Sequence, residues 1–163
     1  MRVLGFDPGT ATTGYGVVEN RGNKLIHIAH GVITTPAKTP FAERLHTIYD
    51  EAARLLDLHH PDAVGIEEIY FKQNVTTGIT VAQARGVLAL AVAQRSIPIG
   101  EFAARAVKSA VTGYGKADKR QMQEMVKMLL NLDDLPKPDD AADALGIAIC
   151  QIHAGNFRAA AGE

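Results

Sequence analysis

Cysteine is almost absent from this sequence, and its scarcity excludes two kinds of structure. With a single cysteine, Cys150, the chain can form neither an internal disulfide nor a zinc site built from CxxC pairs. So little cysteine is typical of a reducing compartment, which predicts a cytoplasmic location. Because Cys150 lies in an apolar stretch, we interpret it as a small core residue.

Long apolar runs are also missing. No uninterrupted run approaches the roughly 18 residues that a membrane-spanning helix needs, which predicts no membrane partner. The first residues lack a basic region followed by an apolar stretch, which predicts no signal peptide. No linker rich in proline, glycine or serine divides the 163 residues. We therefore expect one domain over residues 1–163, with the last ten residues as a candidate disordered tail.

Net charge is nearly absent too, but its distribution is uneven. The formal charge is −1 at pH 7. Residues 39–71 carry seven acids and two bases, residues 72–127 carry nine bases and three acids, and residues 128–163 carry six acids and two bases. A basic segment between acidic flanks can form one positive face whatever the total charge. The same pattern is also typical of solvated helix faces, and charge alone leaves both interpretations open.

The hydrophobic pattern predicts three strands and then alternating helices and strands. Strands are predicted at 2–7, 13–19, 25–34, 63–67 and 97–102, and helices at 41–58, 74–95, 103–111, 119–130 and 140–153. Early hairpins followed by strand–helix alternation are typical of a mixed sheet with helices on both faces. We therefore expect an α/β fold.

Carboxylates occur where two predicted strands end and where the last helix begins. In the stretch GFDPG, the first strand ends on Asp7 before a Pro-Gly turn, and the fourth strand ends on Glu67. Asp140 and Asp143 are three residues apart, which places them on one helix face with Cβ atoms about 5–6 Å apart. If the first and fourth strands are parallel neighbours, these four side chains converge.

Converging carboxylates favour a cation site, because they repel one another unless a cation neutralises them. Hard oxygen ligands suit Mg²⁺ or Mn²⁺, and two such ions about 3.5–4 Å apart can support phosphodiester hydrolysis. Each acid taken alone also has a structural interpretation. Asp-Pro-Gly is a common turn sequence, Glu67 could be a surface residue, and acids in a first helical turn complement the helix dipole. Only the convergence favours metal binding.

Five segments, taken in order and spacing, resemble the RuvC-type Holliday-junction resolvases. They are GFDPGTATTGYGVVE, AVGIEEIYFKQN, VAQARGVLALAVA, GEFAARAVKSAVTGYGKADKRQMQEMV and DDAADALGIAI, and the resemblance runs from Arg2 to about His153. It implies a ribonuclease H-like fold, in which the first three strands of a five-stranded mixed sheet are antiparallel. It also implies a homodimer that nicks four-way DNA junctions symmetrically in recombination and repair, leaving 5′-phosphate and 3′-hydroxyl ends. A branch-migration helicase is the partner that the family implies.

The same resemblance assigns roles to the acids. It implies that Asp7, Glu67, Asp140 and Asp143 are catalytic and bind Mg²⁺ or Mn²⁺, two ions per site. Asp140 occupies a position that some relatives fill with histidine, so it is either a fourth ligand or a residue that orients the water.

The resemblance also implies residues that contact DNA. Tyr70 falls where the family stacks an aromatic ring on unpaired bases, a position where phenylalanine is expected, and Phe71 follows it. Lys108 and Lys119 fall on functional basic positions, with Lys119 also a catalytic candidate that stabilises charge on the scissile phosphate. Apart from the resemblance, weaker DNA-binding candidates, each equally open to interpretation as a solvated charge, are Lys72, Arg85, Lys116 and Arg120.

The predicted helix 74–95 has apolar or small residues around most of its circumference. Such a helix is buried on more than one side. In a small domain this pattern favours a partner surface, consistent with the implied homodimer. A central core helix is the alternative.

Three competing functions follow from the same residues. One is a ribonuclease H-like nuclease that cuts RNA–DNA hybrid or structured RNA. Another is a non-catalytic junction-binding protein, which predicts binding without metal and no loss of function in Asp7→Asn. An ATP-dependent kinase-type domain is a third, because DPGTATTG is similar to a phosphate-binding turn of that superfamily, but such enzymes need a second lobe.

Overall fold

A computed structural model describes the backbone of residues 1–70 and 75–161, with side chains to residue 156. Over these residues the chain forms strands and helices in an order that agrees with the hydrophobic pattern. The strands are β1 (Arg2–Asp7), β2 (Thr12–Arg21), β3 (Lys24–Thr34), β4 (Ala63–Glu67) and β5 (Ile99–Phe102). The helices are α1 (Phe41–His59), α2 (Val75–Ala93), α3 (Ala104–Thr112), α4 (Lys119–Leu129) and α5 (Asp139–Ala161).

The five strands form one mixed sheet in the order β3-β2-β1-β4-β5. β1 pairs antiparallel with β2, and β2 pairs antiparallel with β3. β4 is parallel to β1, and β5 is parallel to β4. Phe6 is opposite Ile66 in the β1–β4 register, so the next residues, Asp7 and Glu67, leave the sheet at the same edge. The predicted five-stranded mixed sheet with three antiparallel first strands is confirmed. The condition on which convergence of the acids depended, that the first and fourth strands are parallel neighbours, is met.

Helices cover both faces of this sheet. On one face the buried side chains of α1 and α2 pack on the strands, with Leu4 and Phe6 at the centre. On the other face α3, α4 and α5 pack on the strands around Val3 and Val18. Burial of this apolar area is the main favourable contribution to folding, at about 25 cal/mol per Å². The expectation of helices on both faces is confirmed.

α5 lies close to the sheet because glycines face it. A Cβ built on Gly5 would lie 2.8 Å from the amide nitrogen of Ala148, and one built on Gly16 would lie 2.6 Å from that of Leu145. Both distances are too short for a real Cβ, so hydrogen is the only side chain that fits. This close packing fixes the position of α5 on β1 and β2.

Two helix boundaries bear on the functional site. α4 begins with a capping box, in which the Asp118 side chain accepts from the Gln121 amide and the Gln121 side chain accepts from the Asp118 amide. This cap fixes Lys119 as the first residue of α4. α5 continues to Ala161, into the segment for which the sequence suggested a disordered tail. Its last turns belong to one long helix that is packed on the sheet at its start.

α2 carries more exposed large apolar side chains than any other helix whose side chains are described. Its buried residues are Ala84, Leu88, Ala91 and Val92, whereas Ile79 and Leu90, three turns apart, are 50% and 52% exposed. Among the described helices, α2 alone is long and apolar enough by composition to cross a membrane. The sequence analysis did not identify α2 as such a helix, because Gln83 and Arg85 interrupt its apolar run. One such helix is weak evidence for a membrane segment, since packed helices can have the same composition.

Candidate active site

Asp7 and Glu67 are the last residues of two parallel neighbouring strands. Both side chains are half-buried at the edge where β1 and β4 end. Strand backbones that are paired over four successive positions hold these two carboxylates on rigid elements.

The first turn of α5 brings three further carboxylates to this edge. Asp140 and Asp143 are half-buried, and the intervening Ala141 and Ala142 are fully buried. Asp139 begins the helix and pairs with Lys119, whose Nζ lies 2.5 Å from its Oδ2. Because buried alanines hold this turn against the sheet, Asp140 and Asp143 face Asp7.

The electrostatics show that the predicted acids interact. Burial and the carboxylates of Glu67, Asp143 and Asp140 together raise the pKa of Asp7 to about 9. Burial and the Asp143 carboxylate, opposed by Lys108, raise the pKa of Glu67 to about 7. Four carboxyl groups at one edge therefore repel one another in a partly dry environment.

The same effects act on the two acids of α5. Burial and the carboxylates of Asp139 and Asp140 raise the pKa of Asp143 to about 6. Burial and the Asp139 carboxylate also raise the pKa of Asp140, whereas Lys119 and a side-chain hydrogen bond with Asp7 act to lower it. In that hydrogen bond the protonated Asp7 carboxyl donates to Asp140. Without a cation, Asp7 therefore keeps a proton at neutral pH.

This donor set fits a hard divalent cation in its chemistry. All four side chains offer carboxylate oxygens, the ligands that Mg²⁺ and Mn²⁺ prefer, and their mutual repulsion is what a cation relieves. Their present arrangement is open. Within residues 1–70 and 75–156, no group of three or more His, Cys, Asp or Glu side chains is placed so that it could hold a metal ion as it stands. The carboxylates would have to move closer to share an ion.

Two lysines border the acids. A cleft of about 170 Å³ is lined by Glu67 and Asp143 together with Lys108 and Lys119. Lys108 lies on α3 and is half-buried, whereas Lys119 at the start of α4 is exposed. The cleft therefore combines the acids with positive charge from two different helices.

A larger cleft of about 560 Å³ adjoins the first, since both are lined by Glu67 and Lys108. Tyr70 lines it and is 64% exposed, with its hydroxyl donating to Glu68 Oε2 at 3.0 Å. Arg105 also lines it, a residue that the sequence interpretation did not single out. Its spacing of three from Lys108 on α3 was the available signal, because such residues share a helix face.

Not every predicted DNA-binding residue faces these clefts. Arg85 instead lines a third cleft, of about 370 Å³, together with Glu68 and Tyr70. Its guanidinium donates to Glu101 and to the backbone carbonyl of Glu67. Lys116 is exposed in the loop between α3 and α4. Phe71 and Lys72 lie outside the described residues.

Comparison with known proteins decides the family. The family model described as crossover junction endodeoxyribonuclease RuvC matches residues 3–151. The chain belongs to the RuvC family. A RuvC of Thermosipho melanesiensis is 53% identical over 150 residues, which cover 92% of this chain and 96% of that protein. The RuvC of Chloroflexus aggregans is 54% identical over 153 residues, covering 94% and 93%.

Solved structures of Holliday junction resolvases have the same fold. Thermus thermophilus RuvC in complex with a Holliday junction substrate is 31% identical, with a TM-score of 0.91 over 96% of both chains. The yeast mitochondrial Holliday junction resolvase, at 18% identity, has a TM-score of 0.62 over 96% of this chain and 81% of its own, and shares the fold. The ribonuclease H-like fold is therefore confirmed, and RuvC-family nucleases are in general metal-dependent.

Proposed function

We propose that this protein is a metal-dependent endonuclease that resolves four-way DNA junctions in recombination and repair. It would make paired, symmetric nicks that leave 5′-phosphate and 3′-hydroxyl ends. The observation that carries the proposal is the set of four carboxylates at one edge of the sheet, in a chain that matches the RuvC family from residue 3 to residue 151. A RuvC with the same fold over 96% of this chain is known with a Holliday junction substrate.

In this proposal Asp7, Glu67, Asp140 and Asp143 hold Mg²⁺ or Mn²⁺, two ions per site. When bound, two such ions activate a water molecule and stabilise the leaving oxygen of the scissile phosphate. Asp140, which accepts the hydrogen bond from Asp7, is either the fourth ligand or the residue that orients the water. The raised pKa values of Asp7 and Glu67 support the proposal, because they mark a site whose charge is not balanced by the protein alone.

Lys108 and Lys119 bring positive charge to the same cleft. Lys119 is a candidate catalytic group that stabilises the charge developing on the scissile phosphate. Its ion pair with Asp139 holds its ammonium group near the start of α5. Lys108 would position the DNA backbone, since phosphate contacts fix register without reading sequence.

The adjoining cleft gives a path for the strand away from the cut. Tyr70 at its rim would stack on an unpaired base near the crossover, with Phe71 and Lys72 following in sequence. Arg105 lines the same cleft and would contact the backbone there. Lys116, exposed in the neighbouring loop, would extend the positive surface.

A homodimer would pair two such sites across one junction. The exposed apolar side chains of α2, Val75, Ile79 and Leu90, support a partner surface on that helix, because large apolar side chains in one stripe mark an interaction site. A branch-migration helicase complex would deliver the junction, and the protein would act in the cytoplasm.

The proposal is tested by substrate choice. The protein is incubated with Mg²⁺ or Mn²⁺ and one of three labelled substrates of the same sequence: a four-way junction, a linear duplex and an RNA–DNA hybrid. We expect nicks in the junction alone. Preferential cutting of the hybrid would support the ribonuclease alternative, and binding of the junction without cleavage under either metal would support the non-catalytic one.

A further inference from the structure

Arg85 lies on the flank of α2 that faces the sheet. It follows the fully buried Ala84 and precedes the fully buried Leu88 by three residues. Its side chain is only 22% exposed. A charged side chain this far from solvent needs bonding partners inside the protein.

The guanidinium of Arg85 joins three elements at the end of the sheet. Its Nε donates to the backbone carbonyl of Glu67 at 3.1 Å, and its Nη2 donates to Glu101 Oε1 at 2.6 Å. Glu101 lies in β5 directly opposite Ile66, the residue before Glu67. One side chain thus ties α2 to the last residue of β4 and to the neighbouring strand.

These contacts place Arg85 where it affects one of the four acids. The β1–β4 register ends at Phe6 and Ile66, so Glu67 extends beyond the last paired position on that side. The peptide that follows Glu67 is held at both ends, because its carbonyl accepts from Arg85 and its amide, that of Glu68, donates to the Phe102 carbonyl at 2.9 Å. The direction of the Glu67 side chain and the path of the chain towards Tyr70 both depend on the plane of that peptide.

We infer that Arg85 is a positioning residue that holds Glu67 in place from α2, and that it does not contact DNA. The inference rests on the proposed function of the acids. The role needs an arginine, because the rigid fork of a guanidinium donates in two directions at once, whereas a lysine ammonium is a single point charge.

The first test replaces Arg85 by lysine. We expect Arg85→Lys to bind the four-way junction with a Kd within about twofold of wild type. We expect it to cut the junction about 10- to 100-fold more slowly in single turnover, because the loss of a residue that orients a metal ligand, or a small displacement of a reacting group, has an effect of this size. A phosphate contact predicts a different result, since lysine keeps the charge. Loss of junction affinity equal to the loss of cleavage rate would overturn the inference.

Arg95 supplies a matched control. It is 25% exposed, donates to both carboxylate oxygens of Asp57 at 2.7 and 2.9 Å and to the Ala91 carbonyl at 2.9 Å. It lies before β5, at the opposite end of the sheet from Glu67. We expect Arg95→Lys to cut and bind like wild type, because it disturbs the same kind of contact without touching the acids.

Glu101→Gln distinguishes a positioning role of Arg85 from a DNA contact, because the two roles predict different changes in cleavage rate and junction affinity. If Arg85 holds Glu67, loss of the ion pair loosens the guanidinium, and cleavage slows while junction affinity stays the same. If Arg85 contacts phosphate, removal of its acidic partner frees the charge and junction binding becomes tighter. Tighter binding with unchanged cleavage would overturn the inference.

A readout without DNA completes the test. Mn²⁺ binding to the protein alone is measured for wild type, Arg85→Lys and Arg95→Lys, with thermal unfolding in EDTA as the check on folding. We expect Arg85→Lys to bind Mn²⁺ about tenfold more weakly and to unfold within a few degrees of Arg95→Lys. If Arg85→Lys binds Mn²⁺ and cuts like wild type, the positioning role of Arg85 is overturned and the proposed function of the protein is not. Wild-type protein that binds Mn²⁺ and leaves every junction uncut would overturn the proposed function.

Discussion

Gly14 of β2 lies directly against the backbone carbonyl group of Asp140 in the first turn of α5. A Cβ built on Gly14 would lie 2.5 Å from the carbonyl carbon of Asp140, closer still to its oxygen, and 3.1 Å from the amide nitrogen of Ala141. Backbone atoms of a packed helix cannot move aside as a flexible side chain can. The sheet therefore sets the position of the turn that carries Asp140 and Asp143.

Gly14→Ala should displace the start of α5 and slow cleavage. An added methyl group has no space here, and a shift of about 1 Å in a reacting group can cost about 10²-fold in rate. We expect junction cleavage to fall by about that factor, measured in single turnover with Mg²⁺. Gly155→Ala is the control in the same helix, since its Cβ would meet only the flexible Met1 side chain, at 3.3 Å. Equal rates for the two variants would contradict this account of Gly14.

The raised pKa values predict how stability depends on pH without divalent cations. The folded-state pKa of Asp7 is about 9 against 3.8, that of Glu67 about 7 against 4.5, and that of Asp143 about 6 against 3.8. Each group holds its proton more tightly in the folded chain, so stability falls as pH rises from the unfolded value to the folded value. We expect the unfolding temperature in EDTA to fall steadily from about pH 5 to about pH 9.

Two comparisons isolate the cause of that pH dependence. Asp7→Asn has no proton to lose at this position, so its unfolding temperature should change least between about pH 7 and pH 9, where Asp7 dominates. Added Mg²⁺ should reduce the slope of the wild type, because a bound cation neutralises the carboxylates. An unfolding temperature that rises over this range in EDTA would show that the acids do not repel one another in the folded protein.

Tyr70 should contribute to junction distortion through its ring and not through its hydroxyl. The hydroxyl donates to Glu68 at 3.0 Å in the described structure, whereas stacking of an aromatic ring on a base is worth about 1–3 kcal/mol. We expect Tyr70→Phe to cut like wild type and Tyr70→Ala to cut about tenfold more slowly, since 1.4 kcal/mol is a factor of ten. Tyr114→Ala, at a ring that is 56% exposed, serves as control. Full activity of Tyr70→Ala would exclude the stacking role.

The exposed face of α2 predicts a dimer that one charge can break. Leu90 is 52% exposed in the single chain, and an unpaired charge buried in an interface costs several kcal/mol, about 3–5 by comparison with broken buried ion pairs. We expect sedimentation to find a dimer for wild type and a monomer for Leu90→Glu. Leu58→Glu changes a leucine on α1 that is 59% exposed and should remain dimeric. Identical sedimentation of all three proteins would place the interface elsewhere.

Much of the fold could be predicted because it depends on local patterns. The alternation of apolar residues predicts the early strands, and all five strands occur close to their predicted positions. The parallel pairing of β1 and β4, which the sequence left as a condition, brings Asp7 and Glu67 to one edge. The acids could be named from the sequence because each ends a strand or lies in the first turns of a helix.

The remaining features depend on contacts between distant residues. Nothing near Arg85 indicates that Glu101, sixteen residues later, pairs with it, so the sequence left Arg85 open between a DNA contact and a solvated charge. The pairing of Lys119 with Asp139 likewise joins two helix starts that are twenty residues apart. Whether the carboxylates lie close enough together to share a metal ion depends on distances between their side chains, which the order of residues does not specify. Such contacts follow from packing, and packing is set by the whole fold.

The central claim is that the four carboxylates cut the junction, and Asp7→Asn tests it most directly. Wild type and Asp7→Asn are compared on one end-labelled four-way junction, with binding measured in EDTA and cleavage in Mg²⁺ or Mn²⁺. The account predicts equal binding, symmetric paired nicks by wild type, and intact junctions with Asp7→Asn. Symmetric nicking by Asp7→Asn at the wild-type rate would contradict the account, because the acid whose pKa the site raises most would then have no part in the reaction.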